Sequence, residues 1–198
     1  VRTVRAETGL PIVSELTDPR QVESLYDIVD VFQIGARNMH NYSMLKEVAA
    51  TRKPTLLKRG ICAKVEEWLL AAEYLRAEGN NDVILCERGI RTFESVTRNT
   101  LDLSAVVYVK QNSHFPVIVD PSHGVGIPSL IGPMCLAAAA CGADGLMLEV
   151  HHSPELALSD AHQALTPSQF SDIIDKLRPV LGVLKRSLAT PPAYWAAS

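Results

Sequence analysis

No apolar run approaches the roughly 20 residues that a helix needs to span a bilayer. The longest candidate, Met134 to Cys141, is short and rich in alanine. No signal-peptide pattern opens the chain, which begins at Val1 rather than Met. Close cysteine pairs are also missing: Cys62, Cys86, Cys135 and Cys141 form no Cys-x-x-Cys motif. A chain of 198 residues is too large to need disulfide staples. Reduced, mostly buried thiols and a cytoplasmic location are therefore expected. There is no excess of positive charge, the formal net charge being -3, so neither a nucleic-acid partner nor an anionic membrane surface is expected. The glycines do not form G-x-G-x-x-G, since Gly124-Val125-Gly126 lacks the third glycine and its acidic partner. No G-x-S-x-G elbow is present either.

What the chain does have is an alternation of short aliphatic runs with helical patterns. Hydrophobic residues make up 47% and charged residues 21%, an ordinary globular balance. The strand candidates are Pro11–Glu15, Val31–Ile34, Thr55–Lys58, Val83–Cys86, Pro116–Val119 and Gly145–Glu149. They are continuously apolar rather than alternating, as strands covered on both faces are. Between them, Asp18-Pro19 with Gln21 signals a helix start, and Val22, Leu25, Tyr26 and Val29 share one face. Val65, Trp68, Leu69, Ala72 and Leu75 form a second stripe that stops at Gly79, and a third helix runs from about Ser129 to Cys141. Thr166-Pro167-Ser168-Gln169 opens a fourth, which buries Phe170, Ile173, Ile174 and Leu177. The order is that of an α/β protein with a parallel sheet. One domain over residues 1–180 and a tail over 181–198 are expected.

Nearly every strand ends in a charged or ligand-type residue: Glu15, Arg37, Lys58, Glu87 and Arg88, Asp120 and His123, and Glu149. One such residue alone would be a solvated loop charge. Six in register are a constellation, because the C-terminal strand ends of an α/β sheet share the face that holds the active site. Arg37, Lys58 and Arg88 suit a substrate bearing carboxylate and phosphate. His123, Glu149 and Asp160 suit a divalent metal acting as a Lewis acid on a carbonyl. Together they point to lyase or aldol-type chemistry. His151 and His152 read as solvated or bonded to loop backbone, and His114 and His162 as surface residues. Asp102 and Arg98 read as a helix-face pair contributing about 0.3–0.5 kcal/mol if exposed.

Phe32-Gln33-Ile34-Gly35-Ala36-Arg37-Asn38-Met39, Leu56-Leu57-Lys58-Arg59-Gly60, Cys86-Glu87-Arg88-Gly89-Ile90-Arg91-Thr92-Phe93-Glu94, Thr97-Arg98-Asn99-Thr100-Leu101-Asp102, Asp120-Pro121-Ser122-His123-Gly124 and Leu148-Glu149-Val150-His151 form a recognisable set. From about Thr8 to Pro179 the chain resembles the short microbial form of the 3-deoxy-7-phosphoheptulonate (DAHP) synthase family. The resemblance implies a (β/α)₈ TIM barrel, here incomplete with about six βα units. It implies that phosphoenolpyruvate condenses with erythrose 4-phosphate, the first step of the shikimate pathway to aromatic amino acids. Arg37, Lys58 and Arg88 would bind phosphoenolpyruvate. His123, Glu149 and Asp160 would hold a divalent metal (Mn, Fe, Co or Zn). Lys58, His123 and Glu15 would be catalytic, with Glu15 near the site of water attack. A homo-oligomer is implied as well.

The family's first strand carries a Gly-Pro-Cys whose cysteine is a fourth metal ligand, and its second carries Lys-Pro-Arg-Thr; this sequence starts after both. The expectation is a six-strand fragment, inactive or nearly so and prone to associate, because a barrel closes only when strand number and shear agree. Two alternatives accompany it. One is a non-catalytic remnant or interaction module. The other is the sister 3-deoxy-manno-octulosonate 8-phosphate synthase, whose segment after Glu-Arg-Gly typically reads Phe-Gly-Tyr-Asn-Asn where this chain has Ile90 to Glu94.

Overall fold

A computed structural model describes residues 2–189. They form two compact units. The first comprises residues 2–60 and 66–84, with Ala189; the second comprises Ile61–Val65 and Leu85–Leu188. Among the described residues no helix is long and apolar enough to cross a membrane.

The first unit contains α1 (Arg2–Thr8), β1 (Val13–Leu16), α2 (Gln21–Leu25), β2 (Val31–Ile34), α3 (Tyr42–Ala50), β3 (Thr55–Lys58) and nearly all of α4 (Val65–Ala77). Its three strands are parallel, with Val13 opposite Val31 and Phe32 opposite Thr55. The first strand begins two residues later than the apolar run suggests. Pro11 has no N–H to give to a ladder, and the Ile12 N–H goes to the Asp30 carboxylate at 2.7 Å. Glu15 consequently sits inside β1, opposite Gln33, with Leu16 buried after it. Asp18 does not cap α2 as expected. It accepts the Arg20 N–H, while the Gln21 side chain takes the Thr17 and Asp18 N–H groups, so a turn precedes the helix. Val22 and Val29 are buried but Tyr26 is exposed. Its ring lies under the Lys53 ammonium, 4.4 Å from the ring centre, and that ammonium also donates to the Tyr26 and Val29 carbonyls.

The second unit contains β4 (Val83–Glu87, from Leu85 onward), α5 (Leu103–Asn112), β5 (Val117–Val119), α6 (Pro121–Val125), α7 (Pro128–Ala140), β6 (Gly145–Leu146) and α8 (Pro167–Val183). These strands too are parallel, with Leu85 opposite Val117 and Ile118 opposite Gly145. Strand β6 is much shorter than Gly145–Glu149. Its neighbour β5 turns into α6 at Pro121, so after the Met147 N–H bonds the Val119 carbonyl the ladder has no partner left. A core of Val125, Ile131, Cys135, Ala139, Leu165, Ile173, Leu177 and Leu181 joins α6, α7 and α8. Helix α8 opens on the expected capping box: Thr166 Oγ1 accepts the Gln169 N–H, and Gln169 Oε1 accepts the Thr166 N–H. Its buried stripe is Ile173, Leu177 and Leu181, spaced by four; Phe170 lies outside it and is exposed. The helix runs past residue 180 to Val183, and residues 190–198 of the expected tail lie outside the described residues.

None of the four cysteines is in a disulfide; Cys86 and Cys135 are buried and Cys62 is exposed. Burial pushes the Cys135 thiol up to about 12, which leaves almost no thiolate at pH 8. Brief treatment of the native chain with iodoacetamide at pH 8 should therefore alkylate Cys62 first and leave Cys86 and Cys135 protected until urea is added. Peptide mass spectrometry reads the order directly.

Candidate metal centre

In the first unit, Glu15 is the next-to-last residue of β1, Arg37 lies three residues past β2, and Lys58 is the last residue of β3. The Glu15 carboxylate accepts the Gln33 amide N–H at 3.1 Å. It lies so close to the next strand end that a Cβ on Gly35 would stand 1.9 Å from Glu15 Oε1. Arg37 sits in a single 3-10 turn, Ala36–Asn38, with its side chain exposed. Lys58 is the last residue of β3 and is buried, as is Arg59 after it. The guanidinium of Arg59 lies 5.9 Å from the ring of Trp68.

In the second unit, His123, Glu149 and Asp160 converge. One ligand atom from each lies within 4.8 Å of the others. The construction begins at Asp120, the residue after β5, which has no exposed surface. Its Oδ1 accepts the His123 N–H at 3.0 Å and thereby caps α6, with Pro121 at the first helical position. Its Oδ2 stands 2.9 Å from His123 Nδ1. That contact is an ion-pair distance without hydrogen-bond geometry, so Nδ1 remains a buried polar atom lacking a hydrogen-bond partner. The neighbouring carboxylate still favours a proton on Nδ1, which leaves the Nε2 lone pair for the site. Nε2 points at Asp160 Oδ2, 3.5 Å away. Glu149 is held three residues beyond β6 by its N–H on Ser122 Oγ (2.9 Å) and its carbonyl on the Leu165 N–H (2.9 Å).

These donors fit a divalent metal. Ligands at about 2.1 Å place opposed donor atoms roughly 4 Å apart and adjacent ones closer, and one imidazole with two carboxylates is a borderline-hard shell. Arg88, at the end of β4, is buried. Desolvation draws its guanidinium pKa downward, opposed by the charge of Asp120, and it remains a cation at any physiological pH.

Two residues that the sequence did not assign to the site belong beside it. Arg98 is not on a helix face. It lies in a bend and reaches Asp160 Oδ1 at 2.8 Å, while Asp102 caps α5 by accepting the Ala105 N–H. The same Arg98 nitrogen donates to Oε1 of Gln163, a fully buried side chain. For Asp160, partial burial raises the carboxyl pKa, but the Arg98 hydrogen bond and the charges of His123 and Arg98 outweigh it, and the net shift is downward. A depressed carboxylate stabilises the fold above its ordinary range and loses that contribution as pH falls through the lowered value. Here solvent screening keeps it small. The histidines outside the site behave as expected: His151 Nδ1 contacts the Ser153 backbone, His152 stacks on His151 at 4.5 Å, and His114 and His162 are exposed.

Gly126 is the tightest point of this frame. Its φ is +69°, and a Cβ there would meet Arg98 Cβ at 2.6 Å. Gly126→Ala should destabilise the chain by about 1–3 kcal/mol through backbone strain and this clash. Urea unfolding at constant slope measures it.

Residues 1–181 match the model of the DAHP synthetase I family. The phospho-2-dehydro-3-deoxyheptonate aldolase of Thermotoga maritima is 43% identical over 184 residues, which cover 93% of this chain and 54% of that protein. The 2-dehydro-3-deoxyphosphooctonate aldolase of Acidithiobacillus ferrooxidans is 30% identical over 195 residues, 92% of this chain and 68% of that one. The chain thus spans about half to two-thirds of the length of these relatives. A solved truncated form of 3-deoxy-D-arabino-heptulosonate 7-phosphate synthase from Thermotoga maritima superposes with a TM-score of 0.93 at 42% identity, covering 95% of this chain and 72% of that one. With residues 1–181 matched and six βα units in the expected order, this chain belongs to the DAHP synthetase I family.

Proposed function

We propose that the chain carries metal- and phosphoenolpyruvate-binding residues of an aldol-type condensation with erythrose 4-phosphate. The observation that carries this reading is the convergence of His123, Glu149 and Asp160, three metal-ligand types from separate segments of the second unit. A divalent metal held there would supply Lewis acidity to the aldehyde oxygen of the acceptor sugar. Mn, Fe, Co and Zn all suit the shell. Arg37, Lys58 and Arg88 would bind the carboxylate and phosphate of phosphoenolpyruvate, and their cations would stabilise charge as C3 attacks the aldehyde carbon. Water then adds at C2 and phosphate leaves with C–O cleavage. Glu15 is placed in this proposal near the attacking water, where a carboxylate can accept its proton. A homo-oligomer in the cytoplasm belongs to the same reading, on the family resemblance.

The sister activity, with arabinose 5-phosphate as acceptor, is the second reading. It is favoured by relatives named 2-dehydro-3-deoxyphosphooctonate aldolase at up to 31% identity. The higher identity of the heptonate aldolase and the segment Ile90 to Glu94 favour erythrose 4-phosphate.

Phosphate release from phosphoenolpyruvate, with Mn²⁺ and either sugar phosphate, separates the readings. Phosphoenolpyruvate binding that weakens in Arg88→Met, with any turnover confined to erythrose 4-phosphate and abolished by EDTA, is the expected result. Preference for arabinose 5-phosphate would select the sister activity. A chain that neither turns over nor binds phosphoenolpyruvate would contradict both.

A further inference from the structure

The carboxylate of Asp160 has two oxygens, and they face different partners. Oδ1 accepts from Arg98 at 2.8 Å, and Oδ2 stands 3.5 Å from His123 Nε2. Asp160 also has a φ of +51°, a left-handed conformation that a residue with a Cβ adopts at a cost. Something must hold it there. The 3-10 turn Ala161–Gln163 that follows folds back through the Gln163 N–H onto the Asp160 carbonyl at 3.1 Å. The Gln163 side chain is fully buried, and its Oε1 lies 2.5 Å from the same Arg98 nitrogen that bonds Asp160. One guanidinium nitrogen therefore ties together the carboxylate and the turn that presents it.

Arg98 is itself anchored to the helix that carries His123. Its N–H bonds the Val125 carbonyl at 3.0 Å, and the next residue bonds Gly124 through its backbone and the His123 carbonyl through its amide. Resting on the metal reading above, we propose that Arg98 is a positioning residue: it fixes Asp160 as a one-oxygen ligand, with Oδ1 held by the guanidinium and Oδ2 left for the cation. Its charge also offsets the repulsion between the Glu149 and Asp160 carboxylates when no cation stands between them, so the donor set is preorganised before metal arrives. An ordinary half-exposed ion pair would do neither, and its removal would barely be felt.

The test uses the whole chain as wild type, Arg98→Met and Arg98→Lys. Mn²⁺ affinity is measured by calorimetry, the visible spectrum by Co²⁺ titration, and folding by urea. Loss of a group that orients a metal ligand costs about 10–100-fold in affinity. That drop is expected for Arg98→Met, with an altered Co²⁺ band shape, and Arg98→Lys should recover part of the affinity because it restores charge without the fork. A folded Arg98→Met chain with wild-type Mn²⁺ affinity and an unchanged Co²⁺ spectrum overturns the proposal. If Arg98→Met does not fold, Arg98→Lys decides: weaker Mn²⁺ binding supports the proposal, and wild-type affinity and spectrum overturn it. A wild-type chain that binds neither ion removes the metal reading itself, and this inference with it.

Discussion

Asp120 is a carboxylate with no exposed surface, and both of its oxygens face His123. Burying an ionised carboxylate is costly unless its charge is met. Here one oxygen takes a backbone N–H at the mouth of α6, the other stands beside the imidazole, and the buried Arg88 supplies opposite charge. This arrangement starts α6 directly after β5. That turn in the chain orients His123, deprives β6 of its ladder partner, and brings the irregular segment with Glu149 onto Ser122. The second unit's site depends on this one buried group.

Around it the frame is made of backbone contacts rather than large side chains. Arg98 and Asn99 pair with the Gly124–Val125 stretch, and Gly126 leaves room for the Arg98 side chain to pass. Arg98 then meets Asp160 and Gln163, the residues that bracket a single 3-10 turn. Behind them, α7 and α8 close over an aliphatic core that gives the loops a rigid support. Function-bearing residues on short loops held by packed helices are the usual arrangement of α/β enzymes.

Much of this was legible in the sequence. Continuous apolar runs located β2 and β3 to the residue, and the Thr166 to Gln169 box located the start of α8. Of the donor triad, His123 and Glu149 follow strand candidates in the sequence, whereas Asp160 follows none and came with residue type and the family resemblance. What was not legible came from tertiary pairing. Strand ends depend on local backbone donors and on the neighbour, so β1 starts only at Val13, after Pro11, and β6 stops early where β5 becomes helix. Arg98 does not meet the nearby Asp102: it pairs with Asp160, 62 positions away, and Asp102 serves as a cap. Phe170 and Tyr26 show that an apolar residue on a helical stripe can still end up exposed.

The account rests on the second unit holding a cation between His123, Glu149 and Asp160. Anomalous diffraction at the manganese edge, from crystals of the chain soaked in Mn²⁺, tests that most directly. The account predicts one strong peak within bonding distance of His123 Nε2, Asp160 Oδ2 and a Glu149 carboxylate oxygen. Manganese bound elsewhere, with these three side chains left as they are, would contradict it.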